Sequence, residues 1–499
     1  PKFARVTTSL EQESGGTSVF STRPMAELKP ERSVGMLQGT AELRFLPLIL
    51  ASGFAVACFM TQVGCASRRN QIRDAQVAFA NGDLSSARES LLEIAHSRSH
   101  ARDAAQLDLA MVELAAGDAE AAENRLRILR DRFDALPDSA PIREAKSLIT
   151  DDRSRLFRPT GYEEVMIRGM LAICSLATDQ TDAEAYSLQA EMKQTELARL
   201  AEERGLASQW VAAGEKSFQP IAFAPYLRGM LREATHRNYD DATRAYQLVS
   251  QVQPDFIPAH EDIARASGGV HSRPGHGVVY VLACVGRGPV LTETTAETTS
   301  TALSIASSIL NAETNDSDDD EKDESVPVLP NIASVKVPTV SIPPQTIQAI
   351  GVLVDGQLFG QTQTLTDVTD LAVGQLNSEM PWTIARAVVR RATKESMIAA
   401  ASDQMGIQGD AGRLFHFAAA SAWGASESAD TRCWGLLPRE IQVLRAELPV
   451  GTHQIGLSPM NVGGQSAGPM ARQDVTVVDG RNHYVVAIAP DRFVHLVNN

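Results

Sequence analysis

The chain has 499 residues, 43% of them hydrophobic and 21% charged, a composition typical of a globular protein of about three domains. That excludes a polytopic membrane protein, a collagen-like fibre and a wholly disordered chain. Forty-six basic residues against 61 acidic ones give a net charge of −15, which argues against nucleic-acid binding, since phosphates demand a positive field.

Residues 1–64 read as an N-terminal extension and signal sequence, with Met36 as an alternative start. Residues 45–60 form an uncharged apolar run behind Arg44. A helix of that length spans about 24 Å, short of the roughly 30 Å hydrocarbon core, so a secretory signal fits better than a membrane span. Val63-Gly64-Cys65-Ala66-Ser67 resembles a bacterial lipobox, in which the Cys65 sulfur accepts diacylglycerol. Gln62 departs from that motif, which usually has an aliphatic residue there. An uncleaved anchor and a plain secretory cut remain the alternatives. With Cys65 lipidated, Cys174, Cys284 and Cys433 cannot all pair, so no disulfide framework is expected. Ala66-Ser67 offers no Asp retention signal, which favours the outer membrane.

Residues 65–264 read as helical-hairpin repeats. Gly82-Asp83 and Gly117-Asp118 are turns 35 residues apart, close to the period of about 34 in tetratricopeptide repeats. Gly ends one helix in the left-handed conformation, and Asp caps the next. Ala87 and Ala122, four residues after each Asp, allow close helix approach. Two looser hairpins, 162–194 and 223–256, both carry Arg-Gly-Met-Leu in their first helix, at 168–171 and 228–231. Such hairpins stack into a solenoid whose groove usually takes a peptide or partner protein. A spacer without a specific ligand is the alternative.

Residues 265–277 read as a Gly- and Ser-containing linker, and 278–499 as a mixed α+β domain. Strand-like runs fall at 278–289, 334–342, 349–354 and 357–364, followed by a long helix from about 366 to 402. A helical piece is expected at 439–447, then strands at 452–458, 473–480 and 483–490. Asp479-Gly480-Arg481-Asn482 is a hairpin signal between the last two. The economical arrangement is an antiparallel sheet packed by the long helix. Residues 311–324 carry eight acids and one Lys, so about 311–325 is expected to be a disordered acidic insertion.

The order of several short motifs resembles an uncharacterised family of bacterial TPR-containing envelope lipoproteins. They are Cys65, Tyr162-Glu163-Glu164-Val165, Gly286-Arg287-Gly288-Pro289, Pro381-Trp382 before Arg386, Arg390 and Lys394, Trp434 with Leu437-Pro438-Arg439-Glu440, and Leu448-Pro449-Val450-Gly451-Thr452-His453. The resemblance implies an envelope protein without established catalysis, associated with cell-wall synthesis.

The remaining chemistry is sparse. Gly464-Gln465-Ser466-Ala467-Gly468 matches the nucleophile elbow of α/β-hydrolases, with Asp479 and His483 as conceivable triad partners. Pro469 and the strand-like run after it do not suit an elbow. Glu93, His96 and His100 have helical spacing, but a zinc site needs further ligands. Arg287 in its Gly-rich turn is a candidate anion contact. Arg386, Arg390 and Lys394, four residues apart, draw a basic stripe for an acidic or phosphate-bearing partner, or for internal pairing. The expectation is a lipid-anchored, non-catalytic adaptor without cofactor, using its repeats for an envelope protein or peptide and its anchor for the membrane. An envelope hydrolase using Ser466 is the competing class.

Overall fold

The computed structural model describes residues 70–136, 156–207, 219–315, 334–404 and 428–497. Cys65, the apolar run 45–60 and the acidic stretch beyond Asn315 lie outside the described residues. Among the described residues no helix is long and apolar enough to cross a membrane.

The Gly-Asp turns form as their chemistry requires. Helix α1 (70–80) ends at Gly82, φ +78°, and Asp83 then takes the Ser86 N–H at 3.0 Å to cap α2 (Leu84–Ala95). Helix α3 (Arg102–Ala115) ends likewise at Gly117, φ +86°, and Asp118 takes the Ala121 N–H at 3.0 Å to cap α4 (Ala119–Asp134). Ala87 and Ala122 are fully buried. Next come α5 (Gly161–Leu176), α6 (Ala183–Ala207), α7 (Phe223–Glu233), α8 (Tyr239–Val252) and α9 (Pro258–Ser267). Each helix from α3 to α9 packs on its predecessor.

The two Arg-Gly-Met-Leu stretches do equivalent work in α5 and α7. Gly169 lets the Phe223 ring approach to 3.0 Å of where a Cβ would stand, and Gly229 lets the Tyr246 ring approach to 2.6 Å. The neighbouring arginines reach back to the preceding hairpin, Arg168 to Asp134 at 2.6 Å and Arg228 to Glu191 at 2.9 Å.

The fold class is α+β, with its sheets arranged differently from the simple antiparallel expectation. A five-stranded sheet has the order β11-β10-β1-β7-β6, built from β1 (His276–Arg287), β6 (Gln363–Asp367), β7 (Pro438–Pro449), β10 (Asn482–Ala489) and β11 (His495–Val497). It is mixed, because β1 and β10 run parallel while its other pairs are antiparallel. A four-stranded antiparallel sheet has the order β5-β4-β8-β9, from β4 (Ala349–Val354), β5 (Gln357–Gln361), β8 (Gly451–Met460) and β9 (Ala471–Val477). A ribbon of β2 (Val290–Glu297) and β3 (Ser334–Ser341) stands apart.

Strand β1 explains the layering. Its alternate residues Val278, Tyr280, Leu282 and Cys284 join the core of the helices, while Val279, Val281, Ala283 and Val285 join that of the four-stranded sheet. A continuous apolar run is what a strand covered on both faces needs. Helices and five-stranded sheet thus share one core, and the inner side of the helical layer is filled by the protein's own strands.

Several expectations are corrected. Residues 439–447 are strand, inside β7, although their composition suits a helix. Pairing along the length of β1 outweighs that local preference. The turn at 479–482 does not close a hairpin: β9 pairs with β8 and β10 with β1, so the chain passes between sheets there. The linker read at 265–277 begins inside a helix. Helix α9 runs to Ser267, and buried His271 bonds Asn482 Oδ1 at 2.7 Å through Nε2. Residues 311–315, expected within the disordered insertion, belong to α10 (Ser300–Asn315). The long helix is α11 (Val368–Gln404). Its first turns reach the main core through Val368, Leu371 and Ala372; farther along, Ile384, Val388 and Val389 pack with α10 and the β2–β3 ribbon.

Candidate functional site

Two features sit where the helical layer meets the sheet. The first is an irregular segment, 428–437, gripped along its backbone. The Ala429 N–H donates to Glu293 Oε2 at 2.8 Å, the Trp434 N–H to Glu163 Oε1 at 2.7 Å and the Leu436 N–H to Asp108 Oδ1 at 2.8 Å. Arg432 pairs with Asp430 at 2.6 Å and donates to the His100 carbonyl at 3.0 Å. At its far end the Leu437 carbonyl accepts the Gly288 N–H at 2.9 Å.

The two carboxylates that hold 434 and 436 come from different hairpins, Asp108 from α3 and Glu163 from the first turn of α5. Both are buried. Burial pushes the Asp108 carboxyl up to about 8, and it raises Glu163 as well. Glu163 also caps its own helix, taking the Thr160 N–H on Oε2 at 2.7 Å. Amide donors aimed at these oxygens recover part of what burial costs.

The second feature is a buried charge cluster beside a cavity of about 300 Å³. Glu233, at the end of α7 and fully buried, accepts the Tyr246 hydroxyl at 2.8 Å and two guanidinium donors of Arg265 at 2.5 and 2.9 Å. Arg265 also reaches Asp262 Oδ1, one helical turn earlier on α9, at 2.6 Å. Arg445 of β7 donates to the His271 carbonyl and lies 3.7 Å from Glu447. Burial pushes the Asp262 carboxyl up to about 6, offset in part by Arg265. The cavity is lined by Asp262, Arg265 and Arg445, by the Tyr226 and Phe256 rings, and by the β5 residue Phe359, which is 48% exposed.

The residues singled out from the sequence are scattered differently. Arg287 ends β1 opposite Pro438, and its turn serves close packing: a Cβ on Gly288 would overlap the Leu437 carbonyl. Arg386, Arg390 and Lys394 lie along α11 but are not one exposed stripe, since Arg390 is 2% exposed in the interior. Arg386 and Lys394 are half-buried. Ser466 sits in the loop between β8 and β9, takes the Ser458 hydroxyl at 2.9 Å and donates to the Gly468 carbonyl at 3.0 Å. His483 instead accepts the Val478 N–H at 3.0 Å, and Asp479 accepts that of Gly275 at 2.9 Å, so the three are not assembled as a triad. Among the described residues no group of three His, Cys, Asp or Glu side chains is placed to hold a metal ion.

Three motifs noted from the sequence do converge. Tyr162-Glu163-Glu164-Val165 supplies the acceptor for Trp434, and Gly286-Arg287-Gly288-Pro289 packs on Leu437-Pro438. Asp108, Glu233, Asp262, Arg265 and Arg445 were not legible as site residues. The only local signal among them is the i,i+3 spacing of Asp262 and Arg265.

These features define an α+β protein with a helical layer and a ligand-sized cavity at its junction with the sheet. The chain matches no protein-family model, and no curated protein or solved structure matches it.

Proposed function

We propose that the chain is an exported envelope protein, anchored through a lipid on Cys65, that works as a non-catalytic binding scaffold. In this reading the hairpins α1–α2, α3–α4, α5–α6 and α7–α8 are degenerate TPR-like repeats, and the partner belongs to the cell-wall synthesis machinery. The observation that carries it is the grip of Glu163 and Asp108 on the backbone of residues 434 and 436. Helical repeats that read a peptide by its main chain are binding surfaces by construction, and here the inner surface is filled in cis. A partner then meets the remaining faces, including the open rim at Phe359.

The test is intact-mass analysis and fractionation of the native protein beside Cys65→Ala, with a photoreactive residue placed at position 359. A diacylglyceryl-sized mass at Cys65, lost from the membrane fraction in the variant, supports the anchor. A discrete crosslinked envelope protein supports the scaffold. Retention of residues 45–64, or a soluble product cut elsewhere, overturns the anchor. The absence of any discrete crosslink from position 359 overturns the scaffold role of that face.

A further inference from the structure

Hydrogen-bonding capacity around the cavity beside α9 is unevenly spent. Arg265 is committed to Glu233 and to Asp262 Oδ1, and Arg445 to the His271 carbonyl and Glu447. Asp262 lines the cavity and is 2% exposed, yet its Oδ2 has no hydrogen-bond partner among the described residues. Glu261, its neighbour on α9, also lines the cavity and is exposed. Four carboxylates, Glu261 and Asp262 in the lining with Glu233 and Glu447 behind them, thus face three guanidinium groups, Arg265, Arg445 and Arg273, the last 2.8 Å from Glu447. A buried carboxylate oxygen without a donor is costly, and a cation is the ligand that offsets both the missing bond and the charge surplus.

The rest of the lining suits the same ligand. Tyr226 and Phe256 meet edge to face at 5.5 Å, and Phe359 closes the rim from β5. Aromatic faces attract ammonium and guanidinium groups and cover an alkyl stem. Arg445 Nε, buried and without a partner among the described residues, remains a donor for a carbonyl on the same ligand. A volume of about 300 Å³ is at the small end for ligand cavities and enough for one extended side chain.

We propose that this cavity binds an alkyl cation, a primary ammonium or guanidinium at the end of a hydrocarbon stem. A lysine or arginine side chain of a peptide and a free diamine present the same chemistry. The inference stands on the cavity itself and is independent of the lipid anchor and of the scaffold reading.

Isothermal titration calorimetry of the full chain with N-acetyl-lysine methylamide, cadaverine and uncharged N-acetyl-norleucine methylamide tests it. Saturable binding of a cationic probe, at least tenfold tighter than the norleucine compound, is the expected result. Asp262→Asn should weaken it at least tenfold. Tighter binding of the lysine amide than of cadaverine assigns the site to a peptide side chain, and the reverse assigns it to a free diamine. Should Asp262→Asn fail to fold, Glu261→Gln and Phe359→Ser at the rim carry the test, each weakening binding severalfold. Absence of saturable binding, equal affinity for the norleucine compound, or binding unchanged in all folded variants overturns the proposal.

Discussion

Trp434 and Glu163 lie 271 positions apart in the chain, yet the Trp434 main-chain N–H donates to Glu163 Oε1 at 2.7 Å inside the core. The same carboxylate takes the Thr160 N–H on its other oxygen, so one side chain starts α5 and holds the segment that leads into β7. Glu163→Gln keeps a single acceptor oxygen and should destabilise the protein by about 1–3 kcal/mol. Glu163→Ala, which strands both amides, should cost more. Urea unfolding of the two variants, followed by tryptophan fluorescence and far-UV circular dichroism, measures the difference. Equal stability of Glu163→Ala and the parent would show that neither amide needs this acceptor.

Asp108 supplies a pH dependence with a definite sign. Its folded pKa, raised to about 8 chiefly by burial, lies above the unfolded value near 3.8. The folded state therefore holds a proton that the unfolded state has released between those values. Stability from this group is fully present below about pH 4 and declines until pH rises past about 8. Glu163 and Asp262 are raised as well and act in the same direction. Asp108→Asn keeps an acceptor for the Leu436 N–H and abolishes the titration. Urea midpoints for parent and variant should converge near pH 4 to 5, and the variant should be the more stable at pH 8. A parent midpoint that rises between pH 5 and 8 relative to Asp108→Asn would contradict the assignment.

Gly117 and Gly288 should respond to substitution in opposite patterns. Gly117 has φ +86° and open space where a Cβ would stand, so its requirement is conformational. Gly117→Ala should cost about 1–2 kcal/mol, and Gly117→Asn, which tolerates the left-handed region, less. Gly288 is not in that region; its added Cβ would meet the Leu437 carbonyl where β1 and segment 428–437 cross. Gly288→Ala and Gly288→Asn should both cost about 3 kcal/mol or more, because main chain must move. Thermal melting of the four variants reads the pattern directly. Rescue by Asn at position 288 would refute the steric account.

Local chemistry was enough for the elements that depend on it. The Gly-Asp turns, the small Ala87 and Ala122, the apolar run of β1 and the strands from 349 to 361 follow from turn residues, capping and periodicity within a few positions of chain. So did the special character of Gly286-Arg287-Gly288-Pro289, although its purpose was not legible, since the Leu437 carbonyl that demands Gly288 is almost 150 residues away. What only the tertiary structure decided was partnership between distant segments. Residues 439–447 have a composition that tolerates a helix, and only pairing with β1 makes them a strand. Asp479-Gly480-Arg481-Asn482 turns the chain equally well within one sheet or between two, and β1 receiving β10 in parallel selects the second. The cavity and the charge cluster beside it are the extreme case: Asp262 and Arg265 come from α9, Glu233 from α7, Arg445 from β7 and Phe359 from β5. Each of these is an ordinary charged or apolar residue in its own neighbourhood. Burial, which raises the Asp262 carboxyl and leaves one of its oxygens without a donor among the described residues, is created only when the helical layer closes on the sheet.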